Sequence, residues 1–285
     1  MNAKKLLIAV LLNVIIQFIL FFIQFSITFQ NITISSIISI FLSMSLTLMQ
    51  VYFANTIMLK NVQGHVSTLN KAVQLQEKLN SICAEYDITT PQLYIITNKN
   101  INSVSICKNK NISYICLTEG ALVYLNNEEL EYLLRYEVNK IFNNETAFNT
   151  LIMSTLGFLL ATSDIFFKSI NKSIRKRGRP SESIMRIILT GIFNLFSPLI
   201  MNIIHKFIPK YYDIQNDILT NTQVRTNTYC LNILRKSIET NKYNEDAAFA
   251  SSNMFFVNTL TGNKMFNKIN HHTNINDRIE YIQKN

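Results

Sequence analysis

The hydrophobic positions of this chain are concentrated at the N-terminus and become periodic only later. From Leu6 to Leu59 no residue is charged. A bilayer core takes about 20 apolar residues per helix, so a run of this length accommodates two spans, read at 6–29 and 34–58. Polar Gln30, Asn31 and Thr33 mark the turn between them. Lys4 and Lys5 before an apolar stretch also fit a secretory signal. That stretch is too long, lacks a small-residue cleavage site, and is followed at once by a second span.

After Lys60 the pattern changes to that of a packed soluble unit. Val66, Leu69, Val73, Leu79 and Ile82 recur at three- and four-residue spacings, predicting a helix with one buried face. Pro91 then leads into a β-rich run over 93–97. Two short runs rich in Ser, Val, Ile and Tyr flank polar Lys108 to Asn111 and predict a hairpin. Asn126, with Glu129 three residues on, predicts a capped helix start, and Glu128 and Glu129 suit its positive end. Two more apolar segments, 147–167 and 187–204, flank a loop with six basic residues against Glu182. If both segments cross the membrane and the soluble unit is cytoplasmic, this loop is outside, against the positive-inside tendency. A re-entrant hairpin, helices packed near the headgroups, and an exception to the rule all remain open.

The chain divides accordingly into a transmembrane hairpin (1–59), a soluble unit with the sheet and the Leu130 to Glu145 helix (60–146), a second apolar pair with its basic loop (147–206), and a helical C-terminal part (207–285). Composition adds little. The net charge of +9 lacks the interleaved exposed aromatics of a nucleic-acid surface, so attraction to anionic lipid is the simpler source. Cys83, Cys107, Cys116 and Cys230 have no metal or redox spacing and read as small hydrophobes in a reducing compartment.

Four stretches carry chemistry together. "NNEELEYLLRYEVNKIFNNE" is similar to an acidic helix start followed by His-Glu-x-x-His and Asn-x-Asp. "INSVSICKNKNISYICLTEGAL" is similar to a strand Asn-Ala-Phe-Ala-Thr-Gly with a later Ser-Thr-Gly-Leu-Leu. "YYDIQNDI" is similar to a helix Glu-x-x-Ala-Asp. "MFNKINHHTNINDRIEYI" is similar to His-Pro-Pro-Leu-x-x-Arg-Ile, with His272, Asp277, Arg278 and Ile279 in step. In this order the stretches resemble the HtpX-type membrane zinc metalloproteases. The resemblance implies an α+β, membrane-anchored gluzincin-like fold. Such a fold is predominantly helical, with a small β-sheet and about four transmembrane or membrane-associated helices. It also implies a role in cleaving damaged membrane proteins.

The resemblance further implies that Glu137 holds the general-base position and that Tyr136, Lys140 and Asp213 hold the three zinc-ligand positions. Asp217 and His272 then stand where supporting residues of the site would be. Asn102, Ser103, Val104 and Ser105 occupy the substrate-binding strand. Residues four apart on a helix share a face, which is how two histidines reach one ion. Here the spacing survives and the donors do not. An ammonium has no lone pair, a phenol donates poorly unless ionised, and Asp213 is one methylene shorter than glutamate. No metal is therefore expected at these positions. Glu137 reads as a helix-surface carboxylate paired with Lys140 one turn on. An alternative puts the Lys140 ammonium inside the site as a substitute cation, pairing with Asp213, Glu137 or both.

Three functions follow. One is a catalytically degenerate pseudoprotease of membrane-protein quality control, which binds membrane-protein clients or a partner protease and needs no cofactor. Another is an active zinc metalloendopeptidase with rearranged ligands drawn from Glu137, Asp213, His271 and His272. The third is a non-catalytic structural membrane protein. All three place the chain in the lipid bilayer as a multi-pass protein with its soluble part cytoplasmic and no nucleic-acid partner. An Asn102–Cys107 strand exposed at a sheet edge would separate the first from the third, because extended peptides could add to it.

Overall fold

In the computed structural model the described residues are 3–67, 70–109, 111–151, 153–154, 212–240, 254–257 and 273–284. Helices α1 (Ala3–Phe29) and α2 (Ile32–Asn61) form the N-terminal hairpin, turning at Gln30 in the left-handed region (φ 53) and capped by the Asn31 side chain on the Ile34 N–H. Gln30 and Asn31 of the polar triplet are thus the turn itself, and Thr33 lies in the first turn of α2. The helices run a few residues beyond the predicted spans at their outer ends.

Burial on α2 is inverted relative to a water-soluble helix. Ser35, Ser39, Ser43, Thr47 and Gln50 face α1, while Ile37, Phe41, Leu48 and Tyr52 point outward. Small residues at four-residue spacing let two backbones approach closely. An outward face this apolar is stable against hydrocarbon rather than water. Between the helices Asn13 Nδ2 donates to Gln50 Oε1 (2.8 Å) and Thr47 Oγ1 (3.2 Å), and Gln17 Nε2 donates to Gln50 Oε1 (2.9 Å). Such amide contacts hold a helix pair in register where water is absent. Among the described residues α2 alone is long and apolar enough to cross a membrane by length and composition. Of the second apolar pair only 147–151 and 153–154 are among the described residues.

The soluble unit opens with β1 (Gly64–His65) and α3 (Asn70–Glu85). It continues through β2 (Gln92–Ile96), β3 (Ser103–Asn109), β4 (Ile112–Thr118), α4 (Glu119–Tyr124) and α5 (Asn127–Phe142). The sheet order is β1-β2-β4-β3, with β2 and β4 parallel and the other pairs antiparallel. The predicted hairpin is β3–β4, with a register shift between Cys107 and Asn109. The predicted capping box is present: Asn126 Oδ1 accepts from the Glu129 N–H, and Glu129 Oε2 accepts from the Asn126 N–H. Gly120 is in the first turn of α4, where a Cβ would lie 2.1 Å from the Lys99 carbonyl oxygen, so no other residue fits.

The buried face of α3 differs from the one expected. It is Ala72, Leu75, Leu79, Ile82 and Cys83, whereas Val66 precedes the helix and Val73 is exposed. Leu75 and Leu79 define the stripe, and Val73 lies too far round the helix from Leu75 to join it. The C-terminal part contributes α6 (Tyr212–Val224), α7 (Thr228–Thr240) and α8 (Ile275–Lys284). Helix α5 sits at the centre, against α3, the sheet, α6 and α7, and is buried almost all round from Glu129 to Ile141.

Candidate functional site

Because α5 is central, its polar residues Glu137, Asn139 and Lys140 are interior rather than solvated. Glu137 is fully buried, which corrects the reading of it as a helix-surface carboxylate. The expected pair with Lys140 does form, with Nζ donating to Glu137 Oε2 at 2.8 Å, but it is in the interior. Lys140 also donates to the carbonyl oxygen of Met254 at 2.9 Å. The other Glu137 oxygen, Oε1, accepts from Ser103 Oγ on β3 at 2.7 Å. Both oxygens are thus committed to protein donors. Reasoning on sequence missed Ser103 as the partner of Glu137. The available signal was Ser103 and Ser105 alternating with Val104 and Ile106, which puts two hydroxyls on one face of an otherwise apolar strand.

Tyr136 and Lys140 lie one turn apart on α5, and α6, which carries Asp213, packs against that helix. The Lys140 Nζ lies 5.6 Å from the Tyr136 ring centroid. On α6, Asp213 accepts from the Thr273 N–H at 3.2 Å, and its charge acts on Tyr136 and Arg278. Tyr136 is buried with its ring edge-on to Phe256, centroids 4.8 Å apart. Burial holds its phenol well above the ordinary tyrosine range, with the Asp213 charge adding to the effect, so it stays protonated and is a poor metal donor. An ammonium, a neutral phenol and one aspartate do not make a zinc-binding set. Among the described residues no three His, Cys, Asp or Glu side chains group closely enough to hold a metal ion. His271 and His272 lie outside the described residues, as does His205. His65 is exposed in β1.

Asp217, expected beside the site, is fully buried and fixed by Arg278 of α8. Nε donates to Oδ2 and Nη2 to Oδ1, both at 2.8 Å, while Nη1 donates to the Phe256 carbonyl oxygen at 2.7 Å. The guanidinium carbon stands 4.5 Å from the Phe256 ring centroid. Burial pushes the Asp217 carboxyl up and the forked guanidinium pulls it back. Asn139 completes the tie between α5 and α6 by donating to Thr220 Oγ1 at 3.0 Å.

Strand β3 is the sheet edge beside α5, as expected, but it is not exposed. Asn102, Ser103, Val104 and Ser105 are all buried. Its outer backbone is covered by Met254–Val257: the Phe256 N–H donates to Ser103 O at 2.8 Å, and Val104 bridges Phe255 antiparallel. The Cys107 N–H is taken by Thr150 Oγ1 at 3.0 Å. The sequence marks this covering segment only as a short apolar run, Met-Phe-Phe-Val, among Ser and Asn.

Glu145, just beyond α5, has a buried Oε2 with no hydrogen-bond partner. Burial pushes its carboxyl up to about 7, with the nearby Lys140 charge opposing the rise. A carboxyl whose folded pKa exceeds its ordinary value of 4.5 holds a proton more tightly when folded, so stability falls as pH rises from about 4.5 through about 7. Glu145→Gln removes that dependence. Thermal melts of the two proteins should coincide near pH 4.5, and the variant should be more stable at pH 8 by about 1 to 3 kcal/mol. Parallel curves across that range would place the titration elsewhere.

Several curated proteins named protease HtpX homologue match the chain. The one from Pyrococcus abyssi is 23% identical over 251 residues, covering 87% of this chain and 86% of that protein. Over most of its length the chain is similar to proteins of the HtpX family. The homologue from Lactobacillus helveticus is 23% identical over 243 residues, 80% of this chain and 81% of its own. That from Thermoanaerobacter pseudethanolicus is 26% identical over 127 residues, 43% of this chain. In that match and in two Methanosarcina homologues the chain spans only 42% to 45% of the HtpX relative's length. No family model matches.

Proposed function

We propose that this HtpX-like chain is a pseudoprotease: a membrane metallopeptidase homologue that keeps the scaffold, binds membrane-protein clients or a partner protease in quality control, and does not hydrolyse them. The observation that carries this reading is the Lys140 ammonium, 2.8 Å from Glu137 Oε2 at one of the aligned ligand positions. A divalent cation brought there meets a fixed positive charge in place of an imidazole. The carboxylate aligned with the general base is meanwhile engaged by Ser103 and Lys140. Zinc lowers the pKa of its bound water from about 15.7 to about 7, roughly 12 kcal/mol of activation that no positioned carboxylate replaces.

The hairpin supports a multi-pass membrane protein, since α1 and α2 pack polar face to polar face and leave apolar faces outward. Lys4, Lys5 and Lys60 lie at the same end of the hairpin, which favours a cytoplasmic soluble unit by the positive-inside tendency.

Detergent-purified protein should carry far less than one zinc per chain and leave unfolded casein uncut. Tyr136→His, Lys140→His and Asp213→Glu together should create zinc affinity, a reading supported by the packing of α6 against α5. Stoichiometric zinc in the unaltered protein, lost in Asp213→Ala, would overturn the pseudoprotease reading.

A further inference from the structure

The coverage of β3 is more complete than packing alone requires. Four residues, Met254–Val257, have five backbone polar groups bound by the residues that surround the site. Met254 O accepts from Lys140 (2.9 Å), the Phe256 N–H donates to Ser103 O (2.8 Å), and Phe256 O accepts from Arg278 Nη1 (2.7 Å). Val257 is held twice by one side chain: its N–H donates to Asn102 Oδ1 (2.9 Å) and its carbonyl accepts from Asn102 Nδ2 (2.7 Å). A side-chain amide that both donates to and accepts from one residue does what a neighbouring strand would do. Side chains add anchors, with Phe256 fully buried against Tyr136 and Arg278, and Met254 and Val257 buried as well.

One main-chain hydrogen bond and one antiparallel bridge join the segment to β3 before it bends at Phe256 and Val257, so it covers the edge at which an extended peptide would add by main-chain hydrogen bonds. We propose that Met254–Val257 is a built-in pseudoligand, a segment of the chain itself that bridges the edge of β3 at Phe255 and has to leave before a client strand is read there. The proposal rests on the pseudoprotease reading for the identity of the clients, but the occupancy of the edge does not depend on metal. Two anchors of the segment, Lys140 and Arg278, belong to the two buried ion pairs, so the cation at the aligned ligand position also holds the segment shut. Apparent client affinity is then the intrinsic affinity reduced by the fraction of molecules with the edge open.

The register supplies a fold-preserving test. The Phe256 N–H donating to Ser103 O makes Val104 and Phe255 a non-hydrogen-bonded antiparallel pair, whose Cα separation of about 4.5 Å lies within disulfide range. The double variant Val104→Cys, Phe255→Cys therefore locks the segment when oxidised. The probe is a fluorescein-labelled ten-residue peptide copying residues 252–261, titrated by anisotropy against the full chain in detergent. Phe256→Pro and Val257→Pro each delete a segment N–H that the edge uses, and each should tighten peptide binding at least about fivefold by raising the open fraction. Oxidised lock should abolish binding, and reductant should restore it. In the unaltered chain, saturating peptide should speed hydrogen exchange at Phe256 and Val257.

Peptide binding by the oxidised lock equal to that of the unaltered chain would overturn the proposal. So would unchanged affinity in both proline variants with their melts intact. Zinc content of the same preparations is read separately, so failure of the pseudoprotease reading stays distinct from failure of the occupied edge.

Discussion

Lys140→Met should destabilise the protein by about 3 to 5 kcal/mol, a fall in melting temperature on the order of 10 °C. The Lys140 side chain is 6% exposed and that of Glu137 0%, so the substitution strands a carboxylate in the interior and also leaves the Met254 carbonyl without its ammonium donor. The attraction gained by a buried pair is largely offset by desolvation, whereas breaking such a pair exposes the whole cost to one partner. Glu137→Gln in the same chain should therefore recover much of the loss, since the amide keeps an acceptor for Ser103 Oγ without a charge. The cycle of the two singles and the double measures the coupling, expected at about 2 kcal/mol or more. A solvated lysine would give effects within about half a kcal/mol and no coupling. Small additive effects would remove the idea that a protein cation holds the site together.

Arg278→Met should cost at least as much, about 4 to 5 kcal/mol. Arg278 and Asp217 are both fully buried, and one guanidinium serves two carboxylate oxygens and the Phe256 carbonyl while resting on the Phe256 ring. Arg278→Lys keeps the charge and loses the planar fork, so it should recover only part of the stability. Adding Asp217→Asn to Arg278→Met should recover part of it as well, because the stranded charge is gone. The same variants should loosen Met254–Val257, read as faster hydrogen exchange at Phe256. Chemical unfolding of this set, with Arg278→Lys as stable as the original chain, would show that charge alone matters and that the fork does not.

The elements legible in the sequence were those set by local rules. Uncharged length predicted the hairpin, and Gln30 and Asn31 predicted its turn. The Asn126–Glu129 spacing predicted the capping box, and the two Ser/Val/Ile runs predicted β3 and β4. The buried stripe of α3 was misassigned because Val73 and Leu75 are equally apolar, and only packing against the sheet and α5 decides which one faces inward. The candidate site followed from the resemblance, which aligned Tyr136, Glu137 and Lys140 on one helix and Asp213 on another. Their surroundings did not follow. Glu137 and Lys140 look like an ordinary exposed pair at three residues' separation, and local sequence carries no record of how many elements will enclose a helix.

What the sequence determined by itself is therefore that a tyrosine and a lysine, neither of them a zinc donor in its ordinary protonation state, stand where the resemblance aligns ligands, together with the apolar hairpin and the capped central helix. What only the tertiary structure decided is that the Lys140 charge is interior, that Met254 accepts from it, and that β3 is covered by Met254–Val257. These contacts join residues more than 100 positions apart, such as Lys140 to Met254 and Asn102 to Val257. Their energies come from burial and hydrogen-bond geometry that exist only once α5 is enclosed, which is why four apolar residues with no periodicity gave no local sign of the place they fill.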